Sequence, residues 1–443
     1  MKKYIYIICF FVFTCTVKAQ EKTIELSLNE AVKYALKNSY NTKVAANDIK
    51  AAKKVKWETT TIGLPQISAS VDYQNWLKQQ VTILDFDGDG INEPFVFGTK
   101  QNLNATATLT QLLFDGSYLV GLESAKTYLQ ISEQAKEKTA LTTRETVINA
   151  YGNVLVIEKN IEILERNKEV NDRILKSAKI GYENGLSELE DVEQFEIIKG
   201  NINNNIKASK RLKDIAYKLL NISLGNNINT KLILTDTLDG LILTNTDLNL
   251  LGGNFVLDNH IDFKIAKNDR RSKHLLMRLE QSKALPSLSA YLNYGTTANS
   301  NTFTFFNSDQ EWFNSSLFGV SLNIPIFSSF KRSARTAQAK IALETADIRL
   351  EETKQRLSLA AENAKSDYQL SIDNYQTAKK NLNLAERIEK KQQVKFDEGL
   401  TTNFDLLQAQ NQLYTQQTAY TQAMLNIIAT KAALENALNI PIK

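Results

Sequence analysis

Three sets of residues have types and spacings that could do chemistry. In Asp85-Phe86-Asp87-Gly88-Asp89-Gly90-Ile91-Asn92-Glu93, side-chain oxygens fall at positions 1, 3 and 5 of a calcium loop, with glycine at position 6. Position 12 of such a loop would be Val96, so the bidentate acid is missing and Glu93 stands in for it. Asp85, Asp87, Asp89 and Glu93 are therefore a candidate calcium site, with an Asp/Gly-rich turn as the alternative. The second set is a pair of acids, Asp191 and Asp405, each six residues past a glycine in two matching stretches. One reads Tyr182-Glu183-Asn184-Gly185-Leu186-Ser187 onward, the other Phe396-Asp397-Glu398-Gly399-Leu400-Thr401. The third set, His260 and His274, has no motif partner. Cys9 and Cys15 fall ahead of residue 20, so cysteine nucleophiles, thiolate zinc sites and disulfides are excluded beyond that point. No catalytic constellation remains, and the chain is expected not to be an enzyme.

The elements around these residues give them meaning. Lys2 and Lys3 precede an apolar run from Tyr4 to Phe13, and Val17-Lys18-Ala19 has the small-residue pattern of a signal-peptidase site, so residues 1–19 are expected to be a secretory signal. Cys15 follows Phe13-Thr14, a poor lipoprotein box. Of 53 basic residues, Lys2, Lys3 and Lys18 leave with the signal; the 50 that remain face 49 acidic ones, and no basic tract points to nucleic acid. No later apolar run reaches the ~18 residues of a membrane helix, which leaves β-strands as the way into a membrane.

Four stretches alternate with period two. They are expected as strands at about 66–77, 102–112, 287–297 and 315–325. Ile67, Ala69, Val71 and Tyr73 oppose Gln66, Ser68, Ser70 and Asp72, and Leu103 through Leu109 oppose Asn104 through Thr110. Leu288 through Tyr294 and Phe318 through Ile324 repeat the pattern. One apolar and one small-polar face suit a lipid-facing barrel with a wet lumen.

Long helical runs separate the strands. Ser27 with Glu30 has capping-box spacing and opens a helix over 28–62. The run 117–180 is expected as one helix of about 64 residues, roughly 96 Å long, with a heptad seam of Val147, Val154, Ile161 and Leu175. Its counterpart is 329–396. Returning helices 187–222 and 402–438 are about half as long, and 28–62 and 258–283 supply the missing length. Two repeats result, 20–222 and 258–443, joined by an equatorial linker at 223–257. Each pair of helices meets at one of the two Gly-Leu-Ser/Thr stretches, where glycine ends one helix and Ser187 or Thr401 caps the next.

Four strands cannot close a barrel on their own, because the smallest membrane barrels have about eight, and open edges are not tolerated in lipid. Oligomerisation follows: three copies supply twelve strands. A structural or adhesive trimeric coiled-coil surface protein is the competing reading. It explains the heptads but not the four strands or the half-length helix pairs.

The tip repeat, Leu64-Pro65-Gln66-Ile67 with Leu285-Pro286-Ser287-Leu288, Ile324-Pro325-Ile326-Phe327, and Gln111-Leu112-Leu113-Phe114-Asp115-Gly116 together resemble the TolC family of outer-membrane efflux proteins over essentially the whole mature chain. The resemblance implies a mixed α+β membrane protein, a homotrimer whose 12-stranded β-barrel continues into a 12-helix periplasmic α-barrel. It implies a passive exit duct in the outer membrane, extending into the periplasm and serving a tripartite efflux pump or a type I secretion system. Its partners would be a periplasmic adaptor (membrane fusion protein), an inner-membrane pump or ABC transporter, and outer-membrane lipid. The adaptor would touch Gly185, Leu186, Ser187, Gly399, Leu400 and Thr401. Asp405 matches the acidic residue that narrows the closed entrance of some members, with Gln408, Thr401 and Phe396 around it. Three converging copies would raise its pKa, whereas an Asp in a helix's first turn also suits the helix dipole. Some relatives carry a second Asp where this chain has Gln408, and a basic residue where it has Thr401, so one acidic ring is expected here. The loop between the later strands, with Phe303, Phe305, Phe306 and Trp312, is expected to seal the outer mouth.

Overall fold

Ser27 is the first residue whose role can be checked against structure. In a computed structural model describing residues 23–440 apart from 86, 87, 89, 92, 186, 247 and 254, Ser27 and Glu30 form a reciprocal capping box at the start of helix α1, Leu28–Asn38. The expected signal at 1–19 lies outside the described residues, as do Leu186, Asp87 and Asp89. No helix among the described residues is long and apolar enough to cross a membrane.

The chain divides into two units, each built from several stretches of the sequence. The first comprises residues up to 43, 140–254 and 361 onward. A helix over 28–62 was expected without a break, but the structure has two: α1 stops at Asn38 and α2 runs from Tyr40 to Thr61. Between them Ser39 is extended, with ψ 150°, and its Oγ accepts from Thr42 N at 3.3 Å, starting the next helix. A residue distant in sequence packs against the break. Gly225 closes helix α4 (Leu189–Leu224) with φ +79°, and a Cβ there would collide with the Asn38 carbonyl.

Next to this contact lies the expected linker, 223–257, which carries regular structure. Strand β1, Ile24–Leu26, pairs in parallel with Leu232–Leu234, and a helix follows at Leu238–Asn245. The Tyr151 hydroxyl of helix α3 (Gly116–Glu183) lies 3.0 Å from both the Leu26 carbonyl oxygen and Asp236 Oδ2. Around it Val147, Val154, Leu220, Leu224 and Ile427 make the main apolar core. The heptad row Val147, Val154, Ile161 and Leu175 is buried throughout. In the same helix Asn171 is fully buried and donates Nδ2 to the Phe195 carbonyl at 3.2 Å. Helix α7 (Lys331–Asp397) packs through Tyr368 and Ile372, and helix α8 (Asn403–Ala437) through Met424, Ile427 and Leu434.

The second unit, 44–139 and 255–360, holds the sheet. Its strands Gln66–Asn75, Gln101–Asp115, Ser287–Ser300 and Phe313–Asn323 lie side by side in that order, all antiparallel. Register aligns the expected apolar residues. Ile67 faces Leu109, Leu109 faces Leu292 and Leu292 faces Phe318, so one row of one face is wholly apolar. The row on the opposite face reads Ser68, Thr108, Asn293 and Leu317. A bulge between Leu112 and Phe114 shifts the phase so that Phe114 pairs with Leu288. The first and last strands are edges, their outer hydrogen-bonding sides unpaired among the described residues.

The segment between the first two sheet strands carries a further hairpin, Val81–Leu84 with Glu93–Val96. Helix α6, Ile261–Ser282, is tied to α3 by Arg278–Glu123 at 2.8 Å. Pairs this exposed contribute about 0–1 kcal/mol each.

Candidate functional site

Each matching stretch forms the tip of a helix hairpin. Gly185 and Gly399 both adopt φ near +70°, where a side chain would be strained. At the second tip Gly399 N donates to Phe396 O at 3.0 Å and Leu400 N to Lys395 O at 2.7 Å. That is a Schellman stop. At the first, Gly185 N donates to Tyr182 O at 3.0 Å.

The helix starts that follow differ from expectation and from each other. Ser187 does not cap α4; its Oγ donates back to the Ala178 carbonyl at 3.2 Å, and the N-cap residue is Glu188, without a side-chain cap. At the second tip the cap is Thr402, one residue later than expected. Its Oγ1 donates to Asp405 Oδ2 at 2.8 Å, while Asp405 N donates to that Oγ1 at 3.3 Å. Thr401 Oγ1 donates to the same carboxylate oxygen at 3.0 Å.

Within one chain these bonds act on Asp405 in the lowering direction, while the raising expected above belongs to three converging copies. Its carboxyl is held below the usual range, first by the Thr402 hydroxyl and then by the Thr401 hydroxyl and the Thr402 amide. Within one chain the acid is a helix cap and stays ionised. Gln408, one turn on, is exposed. Phe396, expected at the entrance, instead packs edge-on against the fully buried Phe195, with ring centroids 6.0 Å apart. Ile174, Leu175, Val192, Phe195 and Leu406 form the core beneath the tips. Asn403 Nδ2 donates to Gln194 Oε1 at 3.2 Å, joining α8 to α4.

Two large apolar side chains stand outside among the exposed polar residues of the second tip. Leu400 is 70% exposed and Phe404 72%. Phe404 was missed in the sequence. Its signal was a large aromatic in a helix's first turn, between two polar residues. A buried polar layer sits further along α7 and α8 in the same unit. Burial pushes the Glu389 carboxyl up, against the pull of Arg173, and pushes the Tyr414 phenol up to about 12, with Glu389 adding to it.

The candidate calcium loop closes on itself. Asp85 Oδ1 accepts from Gly88 N at 2.8 Å and Oδ2 from Gly90 N at 3.0 Å. Both oxygens accept the turn's own amides, an arrangement that an Asp/Gly-rich turn and a calcium loop share, and Glu93 is paired with Leu84 in the hairpin, while Asp87 and Asp89 lie outside the described residues. No group of three acids, histidines or cysteines among the described residues could hold a metal.

The aromatic loop packs against the apolar side of the sheet. Phe303 and Phe305 stand edge-on to Tyr73 at 5.8 and 5.9 Å, and Tyr73 alternates with Asp72 and Gln74 onto the apolar side of the sheet. Trp312 is exposed just before the last strand.

The twofold architecture has a counterpart in known proteins. The family model described as "Outer membrane efflux protein" matches residues 31–197 and 254–439. The outer membrane protein TolC of Vibrio cholerae is 24% identical over 356 residues, covering 76% of each chain. The fold is shared with solved channels. VceC of Vibrio cholerae superposes with TM-score 0.72 at 16% identity, over 94% of this chain and 97% of that one. MtrE of Neisseria gonorrhoeae, in its open state, gives 0.72 at 17% identity, over 93% and 88%. With two family matches that together span most of its length, the chain belongs to the outer membrane efflux protein family: it is an outer-membrane efflux channel with the TolC-like fold, and not an enzyme.

Proposed function

We propose that three copies assemble into one duct, a 12-stranded β-barrel in the outer membrane with a 12-helix α-barrel in the periplasm. The duct would be the passive exit of a tripartite efflux pump or a type I secretion system. The observation that carries this reading is a sheet of four strands with one apolar face and two open edges, Gln66–Asn75 and Phe313–Asn323. In lipid those edges have to pair, and the only strands of matching length and patterning are those of another copy. Two copies reach the smallest known barrel size of about eight strands, with an interior that side chains fill; three leave room for an aqueous passage. Native mass measurement in mild detergent tests this: three chains are expected, and a stable monomer or dimer would overturn it.

The tips are the proposed docking site for a periplasmic adaptor, through Gly185, Leu186, Ser187, Gly399, Leu400 and Thr401. Exposure of Leu400 supports this, because a hairpin alone needs glycine and a cap but not an exposed leucine. Photo-crosslinking from Leu186 and Leu400 in cells is expected to trap an adaptor; failure at both positions would remove the assignment. Asp405, ionised by its cap, is the proposed acidic ring of the entrance, with Gln408 beside it. The inner-membrane pump or ABC transporter would select cargo, since the duct itself is passive.

A further inference from the structure

The loop between the last two sheet strands folds against the sheet's apolar face. It is not a plain connection. Thr304 Oγ1 donates to Gln310 Oε1 at 2.5 Å and lies 2.9 Å from Ser300 Oγ, and Asn307 N donates to Thr304 O at 2.9 Å. Lys100 N donates to Asn301 Oδ1 at 3.1 Å, tying the loop to the neighbouring strand. These bonds present three phenylalanines in four residues. Phe305 is buried, and its ring meets Tyr73 and Phe303. Phe306 also meets Phe303, with centroids 5.8 Å apart. Phe303 is 59% exposed and Phe306 87%.

The face is fixed by register. Tyr73 pairs with Leu103, and Leu103 with Ala298, in the row nearest the loop. Ala298 is completely buried despite its place on a face that is otherwise open. The same face carries Val71, Ile67, Leu292 and Phe318 toward the other end of the strands. An aromatic cluster that continues a lipid-facing wall at its end has the placement of a membrane-interface girdle. The loop's polar residues, Asn307, Ser308, Asp309 and Gln310, follow directly in sequence.

We propose that residues 301–312 form an anchor in which Phe303 and Phe306 insert into the outer leaflet of the membrane. Phe305 and Tyr73 form the base that aims them, and the channel mouth is left to other elements. The occupant is the headgroup–acyl boundary of lipid. Exposed aromatics there would otherwise stand in water beside a surface already committed to lipid. This rests on reading the sheet's apolar face as the lipid face.

Cys9 and Cys15 both precede residue 20, so a mature chain starting at residue 20 takes a single spin label at any introduced cysteine. Phe306→Cys, Val71→Cys and Asn293→Cys chains, reconstituted into phosphatidylethanolamine/phosphatidylglycerol vesicles, would be compared for label accessibility to oxygen and to an aqueous nickel chelate. Label at 306 is expected to favour oxygen nearly as strongly as label at 71 and several-fold more than label at 293. If 306 behaves like 293 while 71 favours oxygen, the anchor is wrong and the barrel stands. If 71 itself favours nickel, the barrel reading fails with it. Strong spin–spin broadening at 306 would mean that the loop packs against another copy, which also overturns the anchor. Phe303→Ser with Phe306→Cys is the second variant. Losing the neighbouring ring is expected to lower oxygen preference at 306; no change would contradict an insertion made by both rings.

Discussion

Thr402 and Asp405 cap one helix reciprocally: the threonine hydroxyl donates to Oδ2 at 2.8 Å, and the aspartate amide donates to that hydroxyl at 3.3 Å. The carboxyl is therefore lowered. A lowered carboxyl contributes stability that is complete above its unfolded pKa, about 4, and is lost as pH falls through the folded value below that. The second tip should keep its hydrogen-exchange protection, corrected for intrinsic rate, from pH 7 down to about 5. Loss of protection within that range would mean that a crowded acidic ring dominates instead. Thr402→Ala should cost about 1 kcal/mol of local stability at neutral pH.

Phe195 and Leu400 separate packing from contact at the tips. Phe195 is fully buried against Phe396, so Phe195→Ala should destabilise the tip by about 3–5 kcal/mol, read as accelerated exchange of the helices around it. Leu400→Ala should leave exchange unchanged and weaken adaptor capture. If Leu400→Ala instead loosens the tip while capture persists, the exposed leucine has a structural role.

Gly225 is required twice over, by its φ of +79° and by the Asn38 carbonyl where a Cβ would sit. Gly225→Ala should separate α1 from the end of α4 and cost more than the ~1 kcal/mol of an ordinary glycine replacement at a helix stop. Denaturant unfolding would read it; a neutral substitution would show that the contact gives way easily.

The turn into α7 holds two non-glycine residues in the left-handed region, Ser329 at φ +47° and Phe330 at +63°. Such a conformation costs roughly 1–2 kcal/mol per residue. Ser329→Gly should therefore stabilise the chain by up to about 1 kcal/mol, seen as a higher denaturant midpoint. A lower midpoint would mean that the serine side chain earns its place through contacts with another copy.

These cases also mark where the sequence was readable. The sheet was legible because alternation is a local signal, and pairing of Ile67, Leu109, Leu292 and Phe318 in one row follows once each strand's phase is known. The capping box at Ser27 and the stops at Gly185 and Gly399 were equally local. The contact of Gly225 with the break at Ser39 was not, because Gly225 lies far along the chain. Strand Ile24–Leu26 was too short to show a period, and its partner Leu232–Leu234 comes two hundred residues later. At the candidate site, acid and glycine could be placed, but which hydroxyl caps which helix depended on a one-residue offset between Ser187 and Thr402. The aromatic loop was visible by composition, while its face depended on Tyr73, in a different repeat.

The central claim is a multi-chain duct with an acidic entrance, and single-channel recording in planar lipid bilayers tests it most directly. Purified protein is expected to give discrete conductance steps that divalent cations on the tip side reduce, and Asp405→Ala steps that those cations no longer reduce. Absence of steps, or cation block that survives Asp405→Ala unchanged, would contradict the account.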